Sequence, residues 1–243
     1  MSEFLDVLRT EKKYTVSPLT AGQMTARRAY CFSARLSYLL PLDGNCENAK
    51  PYIVKSLYFD SLYNRDYMEK GSGLEFRKKI RLRSYGDDGI VKLEWKRKQG
   101  SKQRKQSLLL SKTDAEKLIR GDYRCLLDYD GDLPKQFYAM MTEEVYRPKC
   151  IVKYSRLAFT VPTNDIRITL DSGVSAQEGQ FNLFQDSVSY YPVTEPGRIT
   201  LEVKYNHFLL DYIRTALSSF ELTETASSKY TASRYFGLGG TMS

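Results

Sequence analysis

The stretch Leu74-Glu75-Phe76-Arg77-Lys78-Lys79-Ile80-Arg81-Leu82-Arg83-Ser84 decides how the chain is read. One set of alternate positions carries Glu75, Arg77, Lys79, Arg81 and Arg83; the other carries Leu74, Phe76, Lys78, Ile80 and Leu82. Successive strand residues point to opposite faces, so this period of two predicts a strand with one wet face and one buried face. Val91 to Lys98 repeats the pattern, with Lys92, Glu94, Lys96 and Lys98 opposed to Val91, Leu93 and Trp95. The Gly-Asp-Asp-Gly run from Gly86 to Gly89 between them predicts a hairpin.

Working outward, the same alternation predicts strands at Leu8–Val16, Tyr52–Phe59, Gln103–Leu110, Lys149–Val161, Asp165–Asp171 and Arg198–Asn206. Apolar residues three and four apart predict helices over Lys112–Ile119, Pro134–Val145 and His207–Phe220, and Ser17-Pro18 reads as a helix start. The fold expected is α+β, predominantly antiparallel β: about eight strands in a closed barrel, which removes sheet edges, with helices packed outside. Residues 1–243 read as one domain, without a linker or internal repeat.

Periodicity leaves the orientation of the charged faces open. Pointing outward, they make an ordinary solvated barrel surface. Pointing inward, they make a lumen that must hold water and an anionic ligand, because burying unpaired cations costs several kcal/mol each.

Hydrophobic residues at 42% exclude general disorder. A net charge of +8 favours a polyanionic partner without choosing among phosphate chains, nucleic acid and an anionic membrane. Cys31, Cys46, Cys125 and Cys150 lie far apart with no CxxC pair and read as packing residues in a reduced, cytoplasmic setting. The acidic start Met1-Ser2-Glu3-Phe4-Leu5-Asp6 is unlike a signal peptide, and no apolar run reaches the ~18–20 residues that span a bilayer.

Arg81 and Arg83 place two guanidinium forks side by side, a geometry that suits phosphate oxygens. Lys96 and Lys98 add point charges on the next strand, and Lys13, Lys105, Arg156 and Arg167 fall on other predicted strands. Cations spread over many strands suit a tunnel better than a patch. Glu202, Glu11 and Glu94 each have two readings, ion-pair partner or ligand for a hard divalent cation. A single histidine, His207, excludes His-rich zinc sites and is expected at a helix start. There is no Walker A loop, and Gly-Leu-Gly-Gly at Gly237–Gly240 reads as a tail. The tyrosines occupy packing contexts, so nucleic acid is not the expected partner.

The ordered set Glu11-Lys12-Lys13-Tyr14, Leu57-Tyr58-Phe59-Asp60, Ile80 to Gly86, Leu93-Glu94-Trp95-Lys96, Arg156-Leu157-Ala158-Phe159, Arg167 to Asp171, Leu201-Glu202-Val203-Lys204 and Ser228-Lys229-Tyr230 resembles the VTC (vacuolar transporter chaperone) polyphosphate polymerase domain, of the triphosphate tunnel metalloenzyme and CYTH-like superfamily. The resemblance spans roughly residues 9 to 236. It implies an eight-stranded tunnel with inward cations and transfer of the ATP γ-phosphoryl group to a growing polyphosphate chain. By motif match, Arg81, Arg83, Lys96 and Lys13 carry the transfer, and Lys105, Tyr154, Arg156, Arg167, Ser228 and Lys229 bind phosphate. Glu202 holds Mn²⁺ or Mg²⁺, and a membrane-protein partner is compatible with the family. Two departures bear on activity. Arg9-Thr10-Glu11-Lys12-Lys13 lacks the first acid of the Glu-x-Glu-x-Lys signature of CYTH-type triphosphatases, and Ala226 stands where the polymerases tend to carry lysine. The first departure counts against simple triphosphate hydrolysis and the second motivates a non-catalytic polyphosphate or nucleotide sensor; a tunnel triphosphatase and that sensor are the alternative readings.

Overall fold

The structure is a computed structural model that describes residues 10–16, 33–46, 50–85, 90–100, 102–185, 189–220, 222–226 and 228–234. In chain order the elements are β1 (Thr10–Val16), α1 (33–39), β2 (Tyr52–Asp60), α2 (Arg65–Gly71), β3 (Phe76–Tyr85), β4 (Ile90–Gln99), β5 (Lys102–Ser111), α3 (Lys112–Ile119), α4 (Asp132–Glu143), β6 (Arg147–Val161), β7 (Ile166–Gln177), β8 (Tyr191–Pro192), β9 (Ile199–Tyr205), α5 (Asp211–Ser218), β10 (Thr223–Glu224) and α6 (Lys229–Ser233). Short 3₁₀ turns stand at Arg124–Asp128 and Thr163–Asp165.

The strands form one antiparallel sheet in the order β10-β1-β9-β7-β6-β2-β3-β4-β5, with β8 paired to β7. The predicted alternating stretches account for the long strands. β3 and β4 pair in register from Phe76 opposite Gln99 to Ser84 opposite Val91, as a hairpin requires, while the Gly86–Gly89 turn lies outside the described residues. So do the Ser17-Pro18 helix start, Arg9, Cys31 and the Gly237–Gly240 tail.

The expected closure of the barrel is not confirmed: among the described residues no ladder joins β5 to β1. The outer edge of β1 is taken by the returning C-terminal segment, where Tyr14 pairs with Glu224, Thr15 pairs with Thr223, and Thr225 N donates to Lys13 O at 2.9 Å. The outer edge of β5 carries exposed Arg104 and Lys105, charges of the kind that blunt edge pairing. Among the described residues the sheet therefore rolls without a closing ladder. The expected helix start at His207 is corrected. His207 has φ +57° in a bend held by Asn206 N donating to Asn164 O, and α5 begins at Asp211.

Two apolar layers cover the outside of the roll. Ile80, Leu82, Leu93 and Leu57 pack against Leu118 of α3 and Phe137 and Met141 of α4. Ile168, Leu170, Leu201 and Val203 pack against Leu36 of α1 and Ile213 and Leu217 of α5. Each such buried side chain contributes about 1.5–3 kcal/mol relative to exposure, so these faces hold the helices outside and leave the other strand face inside. A third cluster lies within the roll, where Val54, Tyr58, Val152 and Tyr154 meet Tyr230 of α6. Cys46, Cys125 and Cys150 are buried and unpaired by disulfides, in keeping with their reading as packing residues.

Candidate active site

Paired residues in an antiparallel ladder share a face, so the register alone traces the inner wall. Lys96 and Lys79 are opposite each other, as are Glu94 and Arg81, Arg81 and Tyr58, Arg156 and Asp171, Thr169 and Glu202, and Glu202 and Lys13. The charged faces thus point inward. They surround a cavity of about 340 Å³ lined by thirteen lysines and arginines against three glutamates, Glu11, Glu202 and Glu224.

On the β3–β4 wall, Arg81 Nε donates to Glu94 Oε2 at 2.6 Å and Arg81 Nη1 donates to the Tyr58 hydroxyl at 3.0 Å. Arg83 donates to three neutral hydroxyls, those of Ser56 (3.2 Å), Tyr85 (3.4 Å) and Tyr154 (3.2 Å), and its Nε lies 3.8 Å from Glu94. Both residues are 7% exposed, so their side chains are held at the lumen surface with most solvent excluded. Burial resists ionisation of Glu94, but Arg81, Arg83 and Lys105 outweigh it and hold the carboxyl well below the usual carboxylate range.

Two lysines of this wall meet the opposite effect. Burial, with Lys13, Lys70 and Arg81 adding repulsion, pushes Lys79 down to about 7. Burial together with Arg81 and Lys204 holds Lys96 well below its ordinary value. Repulsion between Lys96 and Lys204, and between Lys79 and Lys13, runs across the lumen between elements that are distant in the sheet order. A polyanion placed between them relieves it.

On the β1–β9 wall, Lys13 Nζ lies 2.9 Å from Glu11 Oε1 and 3.9 Å from Glu202 Oε1, and Lys204 Nζ lies 3.2 Å from Glu202 and 3.7 Å from Glu11. Burial opposes both charges, yet the lysines keep Glu202 well below the carboxylate range and the two acids keep Lys13 above its usual value. Among the described residues no group of three or more His, Cys, Asp or Glu comes together. Glu11 and Glu202 are nevertheless neighbouring carboxylates of the kind a hard divalent cation would take as ligands.

The third wall is set by α6. Ser228 caps this helix, accepting from Thr231 N at 3.3 Å, and its Oγ also accepts from Lys79 Nζ at 2.6 Å. Lys229 Nζ lies 2.7 Å from Asp171 Oδ2, and Arg156 donates to both oxygens of the same carboxylate at 2.7 and 2.8 Å. Tyr230 donates to Asp60 Oδ2 at 2.5 Å and stacks on Tyr58 with ring centroids 4.9 Å apart. Tyr154 is aimed by a bulge. The ladder passes from Lys153 opposite Ser175 to Ser155 opposite Ser172, so Tyr154 faces both Gly173 and Val174, and Gly173 takes φ +60°.

Of the residues singled out from the sequence, Lys13, Arg81, Arg83, Lys96, Tyr154, Arg156, Glu202, Ser228 and Lys229 line the one cavity. Lys105 and Arg167 stand outside its lining. Lys105 pairs with Lys96 on the inner face but spends its charge on Glu94 at 2.5 Å, and Arg167 is 3.0 Å from Asp43. Sequence reasoning left Lys79 and Asp171 out of the site. Lys79 was legible as a member of the Arg77–Arg83 face, whereas Asp171 gains its role only from the arrival of Lys229 across the roll.

The rolled antiparallel sheet thus carries a strongly cationic cavity with two carboxylates, Glu11 and Glu202, on one wall. The chain belongs to the VTC domain family, whose pattern matches residues 8–236. Among solved structures it is similar to a candidate adenylate cyclase from Bacillus halodurans, at 12% identity over 86% of this chain and 85% of that one, with a TM-score of 0.46. It is also similar to a candidate adenylate cyclase from Vibrio parahaemolyticus, at 14% identity over 96% and 98%, with a TM-score of 0.47. A protein from Pyrococcus horikoshii matches at 12% identity over 91% and 97%, with a TM-score of 0.42. No curated protein matches the chain.

Proposed function

We propose that the chain is a metal-dependent polyphosphate polymerase that transfers the γ-phosphoryl group of ATP to the end of a polyphosphate chain lying in the lumen. The observation that carries this reading is the excess of cations over acids lining one cavity, a charge that a multiply charged anion is suited to neutralise. In-line transfer between phosphates needs no protein nucleophile. It needs the reactants aligned and the charge on the transferring group met by fixed donors. Arg83, whose hydrogen bonds go to hydroxyls and whose contact with Glu94 is a loose 3.8 Å, supplies a guanidinium without a close counter-charge, and Arg81 beside it holds the adjacent phosphate. Lys13, Lys79 and Lys96 neutralise neighbouring phosphates, and Ser228 and Lys229 hold the chain from the α6 side.

Glu202, with Glu11 beside it, is the residue that would hold Mn²⁺ or Mg²⁺, and such an ion would supply positive charge to offset that on the transferring group. The membership in the VTC domain family supports the same reading. Incubation with ATP and Mn²⁺ followed by product analysis tests it: polymer is expected, and orthophosphate alone identifies a triphosphatase. Ala226 lines the cavity where the family tends to have lysine, and this favours one second reading, a sensor, identified by tight polyphosphate binding without ATP turnover. Glu202→Gln is expected to lower metal-dependent turnover by about a hundredfold or more with the fold intact, in line with loss of a charge-stabilising group in a preorganised site. Full activity in that variant removes Glu202 from the metal site.

A further inference from the structure

One cation that the strand register aims into the lumen is missing from its wall. Arg167 pairs with Lys204, a lining residue, and so shares its face. Its guanidinium is already occupied. Arg167 Nη2 lies 3.0 Å from Asp43 Oδ2 and donates to the Tyr52 hydroxyl at 3.2 Å, while Nε is buried with no hydrogen-bond partner. A guanidinium grips an anion with two parallel donors, so this one meets a single carboxylate oxygen and keeps a donor unmet.

Asp43 belongs to no strand of the roll. It sits in the segment after α1, laid against β6 by Asp43 N donating to Ala158 O at 2.9 Å and Thr160 N donating to Pro41 O at 3.0 Å. Its Oδ1 accepts from Asn45 N at 3.1 Å and from Asn45 Nδ2 at 2.6 Å, which fixes the carboxylate with Oδ2 turned to Arg167. The residue is 8% exposed. Burial works against its charge, but the Asn45 hydrogen bonds and then Arg167 and Arg156 hold it ionised, below the ordinary aspartate value. Arg156 lines the lumen, so the Asp43 charge is felt at the end of the cavity itself.

We propose that Asp43 is a specificity-determining residue: it occupies, at Arg167, the place that a further phosphate of a linear chain would take, and so restricts the lumen to a short run of phosphates. The proposal rests on the reading of the lumen as a site for linear phosphates. Removing the charge frees the Arg167 fork and lifts the repulsion between carboxylate and phosphate. Only a ligand long enough to reach that end gains from the change.

Titration calorimetry of the wild-type protein and Asp43→Asn with tripolyphosphate and with long-chain polyphosphate, at fixed ionic strength and without divalent metal, tests this. Asp43→Asn is expected to tighten long-chain polyphosphate about tenfold, the worth of one charge-assisted hydrogen bond, and to change tripolyphosphate by less than about threefold. The statistical advantage of a longer chain is common to both proteins and cancels in the ratio. Arg167→Ala introduced into Asp43→Asn is expected to remove the gain, and Asp43→Ser, which also deletes the charge, to reproduce it should the amide disturb the Asn45 turn. Equal gains for both ligands, no gain, or a gain that survives Arg167→Ala each overturn the role of Asp43 while leaving the lumen a phosphate site. A wild-type protein that binds neither ligand overturns both readings.

Discussion

Glu94 and Glu202 stand on different walls of one lumen, each on an alternating strand among lysines and arginines, yet they are held in different ways. Glu94 is fully buried, with Arg81 at 2.6 Å on one oxygen and Lys105 at 2.5 Å on the other. Glu202 is 8% exposed; its nearest cation, Lys204, is at 3.2 Å, and Lys13 and Arg156 stand off at 3.9 Å. Glu11 shares both lysines with it, so the acids on that wall are two. The difference teaches that a carboxylate among cations becomes structural when a cation stands at short range on each of its oxygens. Where the cations stand farther off, as around Glu202, the carboxylate is held less tightly.

The largest expected effect breaks or upholds that contrast. Glu94→Gln leaves the buried Arg81 without its counter-charge, and loss of one partner of a buried pair costs about 3–5 kcal/mol. Thermal denaturation should show a large fall in Tm for Glu94→Gln and a much smaller change for Glu202→Gln. Coincident melting curves would erase the distinction between the two acids.

Next in size is the pH response of the acid-poor wall. Lys79 hydrogen-bonds a neutral serine rather than a carboxylate, and its folded pKa of about 7 lies below its ordinary value of 10.5. The unfolded chain therefore binds more protons than the folded one between those values, and stability rises with pH through that window. The ligand-free protein should melt higher at pH 9 than at pH 6, with a shallower slope in Lys79→Met. Tripolyphosphate binding near pH 8 should take up protons, seen as a dependence of calorimetric heat on buffer ionisation enthalpy. Proton release instead would place the anion away from Lys79.

The smallest effect concerns the helix that completes the site. Tyr230→Phe deletes one hydrogen bond to Asp60 while keeping the stack on Tyr58, and is expected to cost about 1 kcal/mol by chemical denaturation. An unchanged midpoint would show that the stack alone seats α6.

Much of the fold was legible because strands with a wet and a buried face write their period into the residues. The alternating stretches around Leu74–Ser84, Val91–Lys98 and Arg198–Asn206 became β3, β4 and β9 nearly as read. What stayed illegible has local causes. α2 and α6 are seven and five residues long, too short for a helical period to stand out. The bulge at Tyr154 and Gly173 depends on two strands meeting out of step, and neither strand reveals it alone. Arg167 looked like its neighbours in the charged pattern, since nothing local announces that Asp43 arrives from more than a hundred residues away.

By itself the sequence determined that the chain forms two-faced strands and that one face of them is cationic. Alternation and net charge are properties of the chain and survive any arrangement of it. The tertiary structure decided which way those faces point, that among the described residues no ladder joins β5 to β1, and how closely cations stand to Glu11, Glu94 and Glu202. Those outcomes depend on distances between residues that only packing brings together, because a charge is neutral, strained or available according to what stands within a few ångströms of it.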